Sequence, residues 1–142
     1  MRILGIDFGD VHLGLALSDS LHITAQPLGK YQLKSKQENK KYFQCLIAQH
    51  EIGKIVIGLP LRMDGTPGRR VAKTEEFANW MKTFLDIPII FWDERLTTKQ
   101  ALRILDGQKT RPSKKKKLKD QISATLILSS FLESQRNKLN DI

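Results

Sequence analysis

Four carboxylates at three places in the chain, Asp7, the adjacent Asp93 and Glu94, and Asp120, stand where a short apolar run ends or a helix is expected to open. Asp7 follows Ile3-Leu4-Gly5-Ile6, and Asp93-Glu94 follow Ile87-Pro88-Ile89-Ile90-Phe91-Trp92. Acids at strand ends are where a parallel sheet presents its functional groups. Carboxylates gathered in one place repel one another and take up a proton unless a cation joins them. Mg²⁺ or Mn²⁺ would lift that penalty, and a pair of ions ~3.5–4 Å apart would activate water against a phosphodiester. Each acid also has a purely structural account. Asp7 could serve a turn, Asp93 and Glu94 could favour the start of the helix capped by Thr97, and Asp120 could be an N-cap. The three places persuade together, and the choice between Asp93 and Glu94 as the direct ligand stays open.

The basic residues extend this reading. The 142-residue chain carries a net charge of +9, and seven basic residues with no acid fall between Lys109 and Lys119: Lys109, Arg111, Lys114, Lys115, Lys116, Lys117 and Lys119. Such a stripe suits phosphates and supplies affinity without sequence information. A glycine-rich connection from Gly58 to Gly68 carries Arg62 and runs into Arg69 and Arg70, an arrangement suited to anions. Arg95 follows the acidic pair. Asp10 and Asp19 look more like ordinary turn or strand-end acids, though either could reach the site. His12, His22 and His50 lack metal-ligand spacing, and Ser18, Ser129 and Ser130 lack a plausible histidine partner, which disfavours nucleophilic catalysis. Cys45 is the single cysteine, so an internal disulfide and a multi-cysteine zinc cluster are ruled out.

These residues require elements to position them. Arg2–Phe8 and the alternating Leu13, Leu15 and Leu17 predict a hairpin about Gly9-Asp10. Ile23–Leu33, interrupted by Pro27, suits an edge strand or a bulge. Ser35 with Glu38 forms a capping box for a helix over Lys36–Glu51. Lys54–Leu59 reads as a buried parallel strand. A helix with Val71, Thr74, Ala78, Met81 and Leu85 inward follows, and Phe77, Trp80, Phe84 and Met63 also read as core. Pro88–Trp92 gives a fifth strand, Thr97 with Gln100 opens a short helix through Asp106, and after a basic loop Asp120 opens the last helix. One α/β domain over 1–142 is expected, with a mixed five-stranded sheet and helices on both faces. The longest uncharged run, Gln121–Leu132, is twelve residues, short of the ~20 that span a bilayer. With no secretory signal in view, a soluble cytoplasmic protein is expected.

On these residues the chain resembles the YqgF family. These are bacterial proteins of the ribonuclease H-like superfamily, related to the RuvC Holliday-junction resolvases and assigned to maturation of the 16S ribosomal RNA precursor. The likeness rests on Gly5-Ile6-Asp7-Phe8-Gly9 with Gly14 and Ser18-Asp19, on Gly58-Leu59-Pro60-Leu61 with Asp64-Gly65-Thr66, on Asp93-Glu94-Arg95-Leu96-Thr97-Thr98, and on Lys119-Asp120 with the apolar helix after it. Val11-His12 stand where the family usually has a basic pair. The resemblance implies a ribonuclease H-like fold and a nuclease using two Mg²⁺ or Mn²⁺ ions on Asp7, Glu94 and Asp120, with Asp93 as a further ligand or a supporting group, and cleavage that leaves a 5′-phosphate. The implied partners are precursor rRNA or branched DNA and a pre-ribosomal particle, with the chain acting as monomer or homodimer. Two alternatives are an RNA-binding ribosome-assembly factor without catalysis and a Holliday-junction DNA resolvase.

Overall fold

The computed structural model describes residues 1–62, 64–95 and 112–140, except for the side chains of 112–122 and 139–140. The elements are β1 (Arg2–Phe8), β2 (His12–Ser18), β3 (Ala25–Gln32), α1 (Lys36–His50), β4 (Ile52–Leu59), α2 (Arg69–Lys82), β5 (Ile89–Asp93) and α3 (Pro112–Asn140). The five strands lie in the order β3-β2-β1-β4-β5. The leading strands β1, β2 and β3 pair antiparallel, whereas β4 runs parallel to both β1 and β5. This is the expected mixed sheet. It leaves the C-terminal ends of β1, β4 and β5 at one edge, with Asp7, Leu59 and Asp93 on them.

Local chemistry accounts for the elements. Ser35 caps α1 by accepting from the Glu38 amide at 3.2 Å, and Glu51 closes it at φ 53° while its amide donates to Ile47. β3 is the edge strand that Pro27 favours, and it carries a bulge opposite Leu15 and Ala16. Strand parity divides the core. One face carries Leu4, Ile6, Leu13, Leu15, Ile55 and Ile57, all buried, against Phe43 and Leu46 of α1 and Phe77 and Met81 of α2. The other carries Ile3, Ala16 and Val56 beneath Ala124, Ile127, Leu128 and Phe131 of α3. Glycine lets α3 approach, because a Cβ on Gly5 would lie 2.8 Å from Leu128 Cβ and 3.2 Å from the Ala124 carbonyl.

One expectation fails. The last helix opens at Pro112 and not at Asp120, so Lys114–Lys119 are helical and no loop holds them. Proline suits the first helical position because its missing N–H would have no partner there, and lysine and leucine are good helix formers. Mutual repulsion among the lysines is screened by salt and is too weak to unwind such a segment. Position 120 therefore lies about two turns inside the helix, where its amide has a ladder partner and no capping role. Lys109, Arg111, Met63 and the expected short helix from Thr97 to Asp106 lie outside the described residues, as do the side chains of Asp120 and of the lysine stripe. No helix among the described residues is long and apolar enough to cross a membrane.

Candidate active site

Asp7 is the penultimate residue of β1, paired with Gly14 of β2. Alternation from Ile3 through Gly5 puts it on the α3 face. Glu94 follows the last residue of β5, and its amide donates to the Leu59 carbonyl at 3.1 Å, which continues the β4–β5 pairing by one residue. Its side chain runs across Gly58. A Cβ there would lie 2.6 Å from Glu94 Oε1 and 2.8 Å from its Cγ, so only glycine leaves the carboxyl its path. The path ends at Asp7, with which the Glu94 carboxyl is hydrogen-bonded.

Two carboxyls in contact share a proton in place of a cation. Burial, and then the charge of Asp7, push the Glu94 carboxyl from 4.5 up to about 8, while Arg70 opposes the shift. Glu94 therefore keeps its proton at neutral pH in the metal-free protein. Such a pair, on a glycine floor at the ends of adjacent parallel strands, has the oxygen donors and the negative charge that suit Mg²⁺ or Mn²⁺.

The structure separates the two neighbouring acids that the sequence left together. Asp93 points away from Asp7 and accepts from Arg95, at 2.9 Å from the backbone amide, 3.0 Å from Nε and 2.7 Å from Nη2. Those bonds hold its carboxyl below the usual range. Arg95, expected among the phosphate contacts, is thereby committed to Asp93 and lies near Asp64 and Gly65. The loop of Arg62 is closed on itself: the Arg62 amide donates to Thr66, the Gly65 amide donates to Arg62, and Asp64 accepts from both the amide and the hydroxyl of Thr66. Arg62 is exposed beside Gly68, and Arg69 is exposed in the first turn of α2. Among the described residues, Arg70 is the expected arginine whose charge acts on Glu94. It donates to the Phe8 carbonyl at 3.2 Å and lines a cleft of about 300 Å³ with Asp7, His12, Gly14 and Lys30.

Lys30 has no counterpart in the sequence reading. Its face depends on the bulge in β3, and a lysine on an interrupted edge strand carries no local mark of function. Asp10 pairs with Lys73 of α2 at 3.3 Å and lines the cleft beside Asp7, whereas Asp19 accepts from the amides of Ile23 and Thr24 and serves its turn. Among the described residues no group of three metal-ligating side chains is assembled. The side chain of the third acid expected, Asp120, lies outside them.

The model of the RuvX family, described as Holliday junction resolvases, matches residues 1–134. The chain belongs to the RuvX family. That is the family its motifs pointed to under the name YqgF. Relatives in Syntrophus aciditrophicus and Caldanaerobacter subterraneus, both named candidate pre-16S rRNA nucleases, are 42% and 41% identical. The first alignment covers 94% of this chain and 89% of the relative, and the second 96% and 99%. Among solved structures, Thermus thermophilus RuvC in complex with a Holliday junction substrate superposes with a TM-score of 0.56 at 18% identity, covering 96% of each chain. Fowlpox virus resolvase with its junction DNA gives a TM-score of 0.50 at 12% identity, over 95% of this chain and 99% of that one. These likenesses give the RuvX chain the ribonuclease H-like fold, and its family and relatives make it a nuclease.

Proposed function

We propose that the protein hydrolyses phosphodiester bonds of structured nucleic acid with divalent metal ions held by Asp7, Glu94 and Asp120, and that its substrate is the 5′ end of precursor 16S rRNA. One observation carries the metal-site reading: Asp7 and Glu94, drawn from separate strands, meet in a contact that two ionised carboxylates could not keep without a cation. Helical periodicity supports the third ligand. Position 120 precedes Ala124 by four and Ile127 by seven, the spacing at which residues of α3 that pack over the sheet recur.

A bound ion pair would supply an activated water and neutralise charge developing on the phosphoryl oxygens. The chain's own residues do the rest. Asp7 and Glu94 would hold the ions, and Asp93 holds Arg95 against the loop that flanks Glu94. Arg70, tethered through Phe8, directs a guanidinium toward the phosphate in the cleft. The helical lysines Lys114–Lys117 and Lys119 add affinity for the backbone without reading sequence. The relatives' names favour precursor 16S rRNA as substrate, and such a substrate implies a cytoplasmic setting and a pre-ribosomal particle as partner.

A second reading, resolution of four-way DNA junctions, is favoured by the family description and needs a homodimer that cuts two strands. The deciding experiment presents a precursor 16S rRNA 5′ end, a single-stranded RNA and a four-way DNA junction to wild type and Asp7→Asn with Mg²⁺ or Mn²⁺. Cleavage lost in the variant ranks the substrates. A well-folded wild type that binds RNA and cleaves nothing transfers the assignment to a non-catalytic assembly factor.

A further inference from the structure

Lys30 is turned into the catalytic cleft by an irregularity of the edge strand. Leu15 pairs with Gly29 and Ala16 with Pro27, so Leu28 is an extra residue in β3. Pro27 has no N–H for the ladder, and Gly29 takes φ 118°, open to glycine and strained for other residues. In a strand of period two, one extra residue turns over every side chain beyond it. Without the bulge Lys30 would stand opposite Leu13, on the face where Leu13 is fully buried. With it, Lys30 pairs with Gly14, and Gly14 pairs with Asp7.

Asp7, Gly14 and Lys30 thus form one cross-strand row on one face, and the glycine leaves the middle of the row empty. The backbones of its two ends are about two strand spacings apart, ~10 Å, and both residues line the same cleft of about 300 Å³. The same bulge puts Tyr31 opposite Leu13, where its ring stacks on Tyr42 at 3.7 Å and its hydroxyl donates to Asn39. Packing therefore accounts for the bulge, but it gives Lys30 no structural task. Lys30 is exposed, and neither ion pair among the described residues includes it.

We propose that Lys30 contacts the phosphate next to the scissile one, so that the cleaved strand runs from Asp7 across Gly14 toward the β3 edge. This rests on the nuclease reading above. The ammonium is a strongly hydrated point charge on a flexible stem, suited to a backbone phosphate and indifferent to sequence. The competing role is a solvated lysine that guards an edge strand against pairing.

The test compares Lys30→Ala, Lys30→Arg and, as a control of equal charge loss, Lys41→Ala on the exposed side of α1. Binding of a fluorescent precursor 16S rRNA 5′-end oligonucleotide and of a four-way DNA junction is measured across a salt series without added Mg²⁺ or Mn²⁺. Cleavage is measured separately with Mn²⁺. Lys30→Ala is expected to weaken binding of the preferred probe about 3–10-fold and to reduce the salt slope by about one, with Lys30→Arg restoring both and Lys41→Ala leaving the slope unchanged. A methylphosphonate in place of the neighbouring phosphate should weaken wild type by a similar factor and add nothing in Lys30→Ala. An unchanged slope in Lys30→Ala, or losses that multiply, overturns the contact and leaves the edge-guard role. Failure of the parent reading looks different: wild type cleaves nothing, while the Lys30 effect on binding persists.

Discussion

The two faces of the sheet are built to opposite rules. Toward α1 and α2 the strands present Leu4, Ile6, Leu13, Leu15, Ile55 and Ile57 to a chain of aromatics, with Phe43 and Phe77 centroids 5.9 Å apart and Trp80 and Phe84 4.8 Å apart. Toward α3 the same strands present Gly5, Gly14, Ala16 and Gly58. Residues two apart share a face, so the alternation Leu4-Gly5-Ile6-Asp7 on β1 and Ile55-Val56-Ile57-Gly58 on β4 gives one face its bulk and the other its room. The bulky face holds the molecule together. The sparse face brings a helix close to the backbone and leaves space at the strand ends for carboxyls.

That division is broken most sharply at Asp7. Asp7→Asn should reduce metal-dependent cleavage by three to five orders of magnitude, roughly 4–7 kcal/mol of transition-state stabilisation, while leaving thermal stability equal or higher. Single-turnover cleavage beside a melting curve checks both halves. Phe43→Ala on the bulky face should do the reverse. Phe43 is fully buried, in contact with Tyr42 and Phe77, and its loss should cost about 3–5 kcal/mol in urea unfolding. Cleavage per folded molecule at low temperature should stay within twofold. If Phe43→Ala abolishes cleavage in folded protein, the two faces are not independent.

The third prediction concerns pH. The folded protein holds a proton on Glu94 up to about 8, whereas the unfolded chain releases it near 4.5. The stability this proton contributes is complete below about 4.5 and is lost as pH rises toward 8. In chelator, wild type should lose a few kcal/mol over that window relative to Glu94→Gln, and Mn²⁺ should remove much of the difference. Parallel stability curves for the two proteins would show that the Asp7–Glu94 contact carries no such strain.

Much of this was legible in sequence because it is local. Ser35 and Glu38 announce α1, Pro27 marks β3 as an edge, and the acids after apolar runs mark the strand ends. What was not legible depends on where a chain segment sits against another. Asp93 and Glu94 are adjacent, and only the end of β5 decides which one crosses Gly58. Lys30 faces Asp7 because of one extra residue opposite Leu15 and Ala16, a register that no local pattern carries. The charge of the lysine run suggests a loop, and its helix propensity prevails once Pro112 has opened the helix.

The finest test of the comparison uses the two glycines on the sparse face. A Cβ at Gly5 meets the Cβ of Leu128 at 2.8 Å and the Ala124 carbonyl at 3.2 Å, groups that move only if α3 moves. Gly5→Ala should therefore cost about 1–3 kcal/mol of stability as overpacking. A Cβ at Gly58 meets the tip of Ile127 and the side chain of Glu94, which can swing aside. Alanine also favours an extended strand over glycine by roughly 0.5–1 kcal/mol, which offsets part of the crowding. Gly58→Ala should thus be nearly neutral in a melting curve and yet reduce cleavage by roughly 10–100-fold, because Glu94 is pushed off the path to Asp7. Equal losses of stability from the two substitutions, with cleavage intact in Gly58→Ala, would mean that the glycine on β4 serves helix packing alone.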